Sequence, residues 1–494
     1  MGLFPVFPSS PRFLLGAVVA LLTLTGCAHR PINPPLERTA DPAGYYFTTH
    51  QRQENSDETL VILAFSGGGT RAAALAYGVL QGLRDSTVQS EGRQRRMLDE
   101  VDAITGVSGG SFTAAAYGLY GDEVFETFES AFLKRNVQRA LVVKTLNPLH
   151  WPRLFSPYYG RSEFAEHYYD KILFHGKTFA DLNRQPGPYI VINATDITTG
   201  ARFDFTQQQF DYLCADLGAV KISRACAASS AVPAALSPVT LNNYAGSCGF
   251  TPPDWVTHSG TNTDSRIRLR GRELLRYTDS TNRPYIHLVD GGVSDNLGLR
   301  AILDGVDYAR LTPQIRGQFD LSKLKRVVVI SANAYSSPER NWDRKESPPG
   351  NISTVVAASS HTLDRFSFET LELVRNQFQY WQKQLGETGN LKFYDVMINF
   401  TNFKDLRNLE KDDSRLVEKA IGRWYVPDPN RQADVDQLRE KQLLREFEEL
   451  NSHLEKQPLV VDRSAAMTIR TSATEAPEAM RIDALLGKLE VVLR

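Results

Sequence analysis

The chain has 494 residues, with 56 Lys plus Arg against 57 Asp plus Glu, so its formal charge is −1. An apolar fraction of 42% and a charged fraction of 23% are those of an ordinary globular protein, which excludes disorder as the dominant state. With no positive excess, a nucleic-acid partner held by bulk charge is also excluded.

In chain order, the first feature is the only long apolar run, residues 13–26 (FLLGAVVALLTLTG). It is too short to span a bilayer comfortably, follows Arg12 and ends at Cys27, which is the shape of a signal peptide. Leu24-Thr25-Gly26-Cys27 resembles a bacterial lipobox. That resemblance implies removal of residues 1–26 and a diacylglyceryl group on the Cys27 thiol. Ala28 rather than Asp in the next position implies the outer membrane of a bacterial cell envelope. A plain cleaved signal or a core helix are the alternatives. Met1-Gly2 is not a myristoylation site, because position 6 is Val6. Residues 27–57, Pro-rich and polar, read as a tether between lipid and domain.

Residues 59–66 form an apolar strand and residues 70–84 the Ala/Leu-rich pattern of a packed helix. A second strand–turn–helix unit follows over 101–120. The strand 189–194 runs into Thr198-Thr199-Gly200, and Arg202–Phe205 reads as its hairpin partner. Further strands are expected at 285–289, 327–331 and 393–400. Continuous apolar strands separated by helices predict an α/β fold, a mostly parallel sheet with helices on both faces. The polar stretch 249–284 reads as a long insertion, a loop or lid, and its basic run Arg266–Arg272 as a solvated face rather than a contact for lipid phosphates. Residues 336–352 read as another loop. Residues 431–456 form an amphipathic helix with Val435, Leu438, Leu443, Phe447, Leu450 and Leu454 on one side. The domain plan is a catalytic domain over 58–410, with its core at 58–310, and a helical C-terminal extension over 411–494.

Of four cysteines, Cys27 is assigned to the lipid. Cys226 lies in an apolar Ala-rich stretch that reads as buried helix, so Cys214–Cys248 is the disulfide expected in an oxidising compartment. No zinc spacing or CxxC motif occurs, and no metal or cofactor is expected.

Three motifs carry chemistry. Ser66-Gly67-Gly68-Gly69-Thr70-Arg71 joins a strand to a helix, where bare backbone N–H groups bind an anion or oxyanion. Gly67, Gly69 and Ala72 also fit a dinucleotide fingerprint, but the next strand ends in Thr105-Gly106-Val107-Ser108 rather than in an acid. A P-loop is excluded because its Gly-Lys-Ser/Thr is missing. Gly106-Val107-Ser108-Gly109-Gly110 is a GxSxG match between a strand and a helix, the setting that exposes a nucleophilic serine. Asp290-Gly291-Gly292 follows a strand. It reads either as a hairpin turn or as a functional carboxylate at a strand's C-terminal end, and the helical pattern after it favours the second.

Taken together, these segments resemble the patatin-like phospholipase family, over about residues 58–310. Gly67–Arg71 matches its oxyanion loop, Gly106–Gly110 its nucleophile turn, Asp290–Gly292 its base, and Ala228-Ser229-Ser230-Ala231-Val232-Pro233 a further segment before the base. The resemblance implies a three-layer patatin-like fold and a Ser–Asp dyad without histidine. Ser108 would be the nucleophile and Asp290 the base, with Gly67, Gly68 and Gly69 as oxyanion hole and Arg71, Gly106, Gly110, Gly291 and Gly292 in support. Membrane lipids are the implied substrate. Burial is expected to raise the Asp290 pKa.

Other readings stay open. An α/β-hydrolase triad needs a histidine after its acid. His361 and His453 sit in polar helical stretches, and His287, three residues from Asp290, faces the other side of its strand and reads as a core histidine. An acyltransferase using the same dyad, or a non-catalytic lipid-binding lipoprotein, remain as alternatives.

Overall fold

In the computed structural model the described residues are 29–399, apart from 39–43, 51–54, 91, 148–149, 155, 157, 234, 314–322, 335–341, 345 and 387–390. The signal segment, Cys27, the helix at 431–456 and the whole of 411–494 lie outside them.

The strands in chain order are β1 (Thr59–Phe65), β2 (Val101–Val107), β3 (Tyr189–Asp196), β4 (Arg202–Phe205), β5 (Val239–Asn242), β6 (Tyr285–Asp290), β7 (Arg326–Asn333) and β8 (Lys392–Asn399). They form one eight-stranded sheet in the order β8-β7-β1-β2-β3-β6-β5, with β4 also paired to β3. The five strands from β8 to β3 are parallel; β6 runs antiparallel to β3, and β5 antiparallel to β6. Arg202–Phe205 is the antiparallel partner of β3, as the sequence predicts.

The period-2 alternation of the strands divides the core in two. In β1, Val61, Leu63 and Phe65 face one cluster, and Ile62 and Ala64 face another. In β7, Val328, Ile330 and Ala332 join the first and Val329 the second. The first cluster is covered by α1 (Thr70–Asp85), α2 (Gly109–Tyr120), α3 (Arg161–Tyr169) and α4 (Ile222–Ser229). After α5 (Ser265–Leu275) and the short α6 (Gly292–Asp295), α7 (Leu299–Leu311) and α8 (Asn351–Gly386) cover the second. The result is the three-layer α/β architecture expected from continuous apolar strands. Cys214 and Cys248 form a disulfide, and Cys226 is a buried free thiol on α4.

Three expectations are corrected. Residues 29–36 and 44–50 are not a free spacer. Pro35 bridges Ala215, Asn33 exchanges hydrogen bonds with Asn242, and Tyr45 is buried in a stack on Tyr189. Composition suggested a spacer because the partners of this segment lie some 140 to 210 positions away, beyond the reach of local pattern.

Residues 249–284 are not a loop either. They carry α5, capped by Asp264, whose Oδ1 accepts the N–H groups of Arg266 and Ile267 at 2.8 and 3.3 Å. Ile267, Leu274 and Tyr277 are buried. Arg266 and Arg270 of the basic run are neither solvated nor free for phosphate, whereas Arg272 is exposed. Arg266 pairs with Asp304 and Asp307, and Arg270 with Asp304, Asp204 and Glu273, inside a largely buried ionic network completed by Arg202. His287, third, is an exposed residue whose Nδ1 lies 2.9 Å from Thr240 Oγ1, not a core histidine. The alternation that turns it away from Asp290 turns it into an open groove beside Tyr285 and Thr240 rather than into the core.

Candidate active site

The site lies where two strands meet end to end. Val107 of β2 is opposite Asn193 of β3, and Asp290 of β6 is opposite Ala194. β4 occupies the other edge of β3, pairing with Asn193 and Ala194 from that side. β2 and β6 therefore share one edge of β3 and run toward each other. Their C-terminal ends meet at consecutive positions, which brings Ser108 and Asp290 together from 182 residues apart in sequence.

Ser108 is the residue between β2 and α2. Its backbone has φ 48° and ψ −116°, a region that L residues rarely adopt. The turn is fixed by crowding on every side. A Cβ on Gly106 would lie 2.8 Å from Ser111 Cα, one on Gly110 would lie 2.6 Å from the Phe65 carbonyl oxygen, and one on Gly109 would land on the Gly69 carbonyl. Only glycine permits this approach of three backbones.

The second anchor is Ser229, the last residue of α4. Its Oγ accepts the Ser108 N–H at 2.8 Å, donates to the Asn193 carbonyl at 2.6 Å, and lies 2.8 Å from Ser111 Oγ. Asn193 in turn donates from Nδ2 to Thr105 Oγ1 and to the Gly106 carbonyl, at 2.7 and 2.9 Å. The Ser108 backbone is thus held from below by groups that are themselves buried and paired.

Asp290 is buried, and its carboxyl is pushed up to about 6 from the ordinary value of 3.8. Desolvation is the main cause, opposed by hydrogen bonds from the Gly292 N–H (2.8 Å) and from the Ser108 side chain. Its main chain is pinned too. The Asp290 N–H donates to the Ala231 carbonyl at 2.9 Å, the Gly291 N–H donates to the Ser229 carbonyl at 3.1 Å, and Thr195 Oγ1 donates to the Asp290 carbonyl at 2.9 Å. A Cβ on Gly291 would meet the Asn193 carbonyl, so glycine is again required.

The glycine loop closes the site from the side of β1. Gly68 and Gly69 have φ of 139° and 65°, and Gly69 carries the start of α1. Gly67 does not take the expected part of an oxyanion donor, because its N–H is already donated to the Asn296 carbonyl at 2.9 Å. The N–H groups of Gly68 and Gly69 have no partner among the described residues. The N-termini of α1 and α2 both open on this point, which adds two positive dipole ends beside Ser108. Arg71, on the first turn of α1, brings its guanidinium back beside Gly68. Gly292 packs between the Asp290 carboxylate and the Asn296 side chain.

The structure thus brings together Ser108, Asp290, Gly67–Gly69, Arg71, Gly106, Gly110, Gly291 and Gly292. It adds Ser229, Asn193, Asn296 and Gly109. Ser229 and Gly109 stood inside recognised motifs without an assigned role; Asn193 and Asn296 gave no signal in the sequence. His361 lies on an exposed face of α8. Among the described residues no group of His, Cys, Asp and Glu side chains is arranged to hold a metal ion.

Residues 63–303 match the family model described as Patatin-like phospholipase. This stretch is a patatin-like phospholipase domain. It runs from within β1 into α7 and therefore contains the turn at Ser108, the glycine loop and Asp290. No curated protein matches the chain. Among solved structures, human GIVD cytosolic phospholipase A2 is similar at 13% identity, covering 56% of this chain and 45% of that one, with a TM-score of 0.30. The same human enzyme in complex with methyl gamma-linolenyl fluorophosphonate and terbium chloride is similar at 15% identity, covering 56% and 40%, with a TM-score of 0.28. The chain spans less than half the length of these structures.

Proposed function

We propose that the chain cleaves fatty-acyl esters of membrane lipids through a Ser108–Asp290 dyad and an acyl-enzyme. The observation that carries this reading is the meeting of Ser108, at the end of β2, with a buried Asp290 carboxylate, at the end of β6, whose pKa is raised to about 6. An ordinary carboxylate is too weak a base to take a serine proton, and raising its pKa toward the working pH improves the transfer. Ser108 Oγ attacks the ester carbonyl carbon as its proton passes to Asp290. The carbonyl oxygen becomes an oxyanion, stabilised by the Gly68 and Gly69 N–H groups and the two helix N-termini. The C–O bond to the alcohol then breaks, and that alcohol takes the proton from Asp290. Water attacks the acyl-Ser108 ester as Asp290 accepts its proton, and collapse frees the fatty acid and returns the proton to Ser108.

This reading includes the anchor: Cys27 carries the lipid, and the enzyme acts at the bacterial envelope, on the outer membrane that holds it. The test is turnover of a short-chain p-nitrophenyl ester and then of mixed phospholipids, with Ser108→Ala, Asp290→Asn and His361→Ala beside wild type. The dyad reading expects both dyad variants dead and His361→Ala unchanged. Turnover that survives Asp290→Asn overturns it.

A further inference from the structure

A cavity of about 1020 Å³ lies away from the dyad. It is an open groove at the far edge of the sheet, between the segment 29–32, residues 151, 154, 156 and 158–161, and the outer face of β5 and β6. Neither Ser108, Asp290 nor the glycine loop lines it.

Its chemistry has two parts. The rim is apolar and aromatic yet open to solvent: Trp151 is 45% exposed, Tyr158 59%, Tyr285 52% and Ile32 55%. Isolated surface hydrophobes need no explanation, but four around one cavity do. The lining is cationic. Arg30 is held in place by the Thr240 carbonyl at 3.0 Å and by Asn242 Oδ1, with its guanidinium 5.6 Å from the centre of the Tyr285 ring. Arg161 stands exposed on the first turn of α3. Among the described residues the only acid in the lining is Glu163, which is buried, accepts the Gly160 N–H at 2.8 Å and lies 3.7 Å from Arg224. The groove therefore offers two guanidinium groups and no opposing free carboxylate, the pattern that suits a phosphate.

The occupant follows from where the chain goes. His29 lies in the groove wall, and Cys27 is two residues before it. Two residues reach at most about 7 Å. A lipid on Cys27 therefore brings this groove to the level of the head groups, where Trp and Tyr rings sit by preference.

We propose that this groove is an accessory docking site for the bilayer, in which Arg30 and Arg161 hold anionic phospholipid head groups and the Trp151, Tyr158 and Tyr285 rings enter the interface. The proposal rests on the reading of Cys27 as the anchor. It gives the anchored enzyme a fixed orientation on its membrane, separate from acyl cleavage.

The test uses full-length protein extracted from membranes, carrying Ser108→Ala to spare the lipid. It is returned to vesicles of phosphatidylcholine with or without phosphatidylglycerol bearing a photoreactive head group. The expected result is cross-linking concentrated on peptides containing 151–161 and 285–287, reduced at least tenfold by Arg161→Glu with Tyr158→Ala. Hydrolysis of a soluble short-chain ester by the same double variant, in the background with Ser108 intact, is expected within twofold of wild type. Cross-links spread over other faces, or unchanged by the two substitutions, overturn the proposal. Failure of the anchor reading would show separately, as an N-terminal peptide whose mass lacks the acyl groups. Failure of the dyad reading would show as ester turnover that survives Ser108→Ala.

Discussion

The two turns that meet at the site are built on opposite principles. The turn after β2 stores its cost in the backbone: Ser108 is held at positive φ by three glycines packed against neighbouring backbone and by a hydrogen bond to Ser229. The turn after β6 stores its cost in electrostatics: Asp290 has an ordinary conformation but a carboxylate removed from water. In the proposed dyad, the nucleophile is made by position and the base by environment. Substitutions should therefore break the first turn through shape and the second through charge.

Chemistry gives the largest effect. Ser108→Ala and Asp290→Asn are each expected to lower kcat by about 10⁴-fold or more, since neither half of the dyad works alone. A residual rate in Asp290→Asn close to wild type would mean that another base serves Ser108.

Shape comes next. Gly109→Ala places a methyl group on the Gly69 carbonyl, which belongs to the backbone that opens α1 and cannot step aside. The variant should lose about 2–4 kcal/mol of stability and most activity together, measured by denaturant unfolding. Gly69→Ala has open space but a φ of 65°, so its loss should be smaller, about 1–2 kcal/mol. Equal losses at the two positions would remove the distinction between crowding and strain.

Charge produces effects of the opposite sign. The Asp290 carboxyl has a pKa near 3.8 unfolded and about 6 folded, so the folded state resists its ionisation. Its favourable contribution is fully present below the unfolded value and is lost as pH rises through about 6. At pH 7 the ionised, buried group costs on the order of 2–3 kcal/mol. Asp290→Asn keeps an oxygen for the Gly292 N–H and removes the charge. Activity should vanish while the melting temperature at pH 7 rises, and the gain should disappear near pH 4. In the wild type, kcat/KM should climb through an acidic limb with an apparent pKa of about 6. A limb near 4 would show that burial does not tune this base.

Much of this arrangement is written locally. Gly106–Gly110 and Ser66–Arg71 each sit between an apolar strand and an amphipathic helix, so motif and context agree along a few residues. The pairing of Cys214 with Cys248 is legible for a similar reason, because the Ala-rich neighbours of Cys226 mark it as core. What was not legible depends on partners distant in sequence. Arg266 and Arg270 look like a solvated run until Asp204, Asp304 and Asp307 arrive from two other elements. Gly67 looks like an oxyanion donor until Asn296 takes its N–H.

Ser229 is where the two turns become one structure, and its substitution has the smallest expected effect. Its Oγ holds the Ser108 N–H and its carbonyl holds the Gly291 N–H, so a single residue supports both halves of the proposed dyad. Ser229→Ala removes only the first support. The Ser108 N–H and the Ser111 hydroxyl lose a buried partner, which costs about 1–2 kcal/mol. The Gly291 bond is to backbone and persists, so Asp290 should keep its environment. The expected variant is folded, with kcat lowered about tenfold, KM unchanged, and the acidic limb of the pH profile still near 6. A limb displaced along with kcat would mean that strain in the first turn and burial in the second are set by one coupled packing, not by two separable devices.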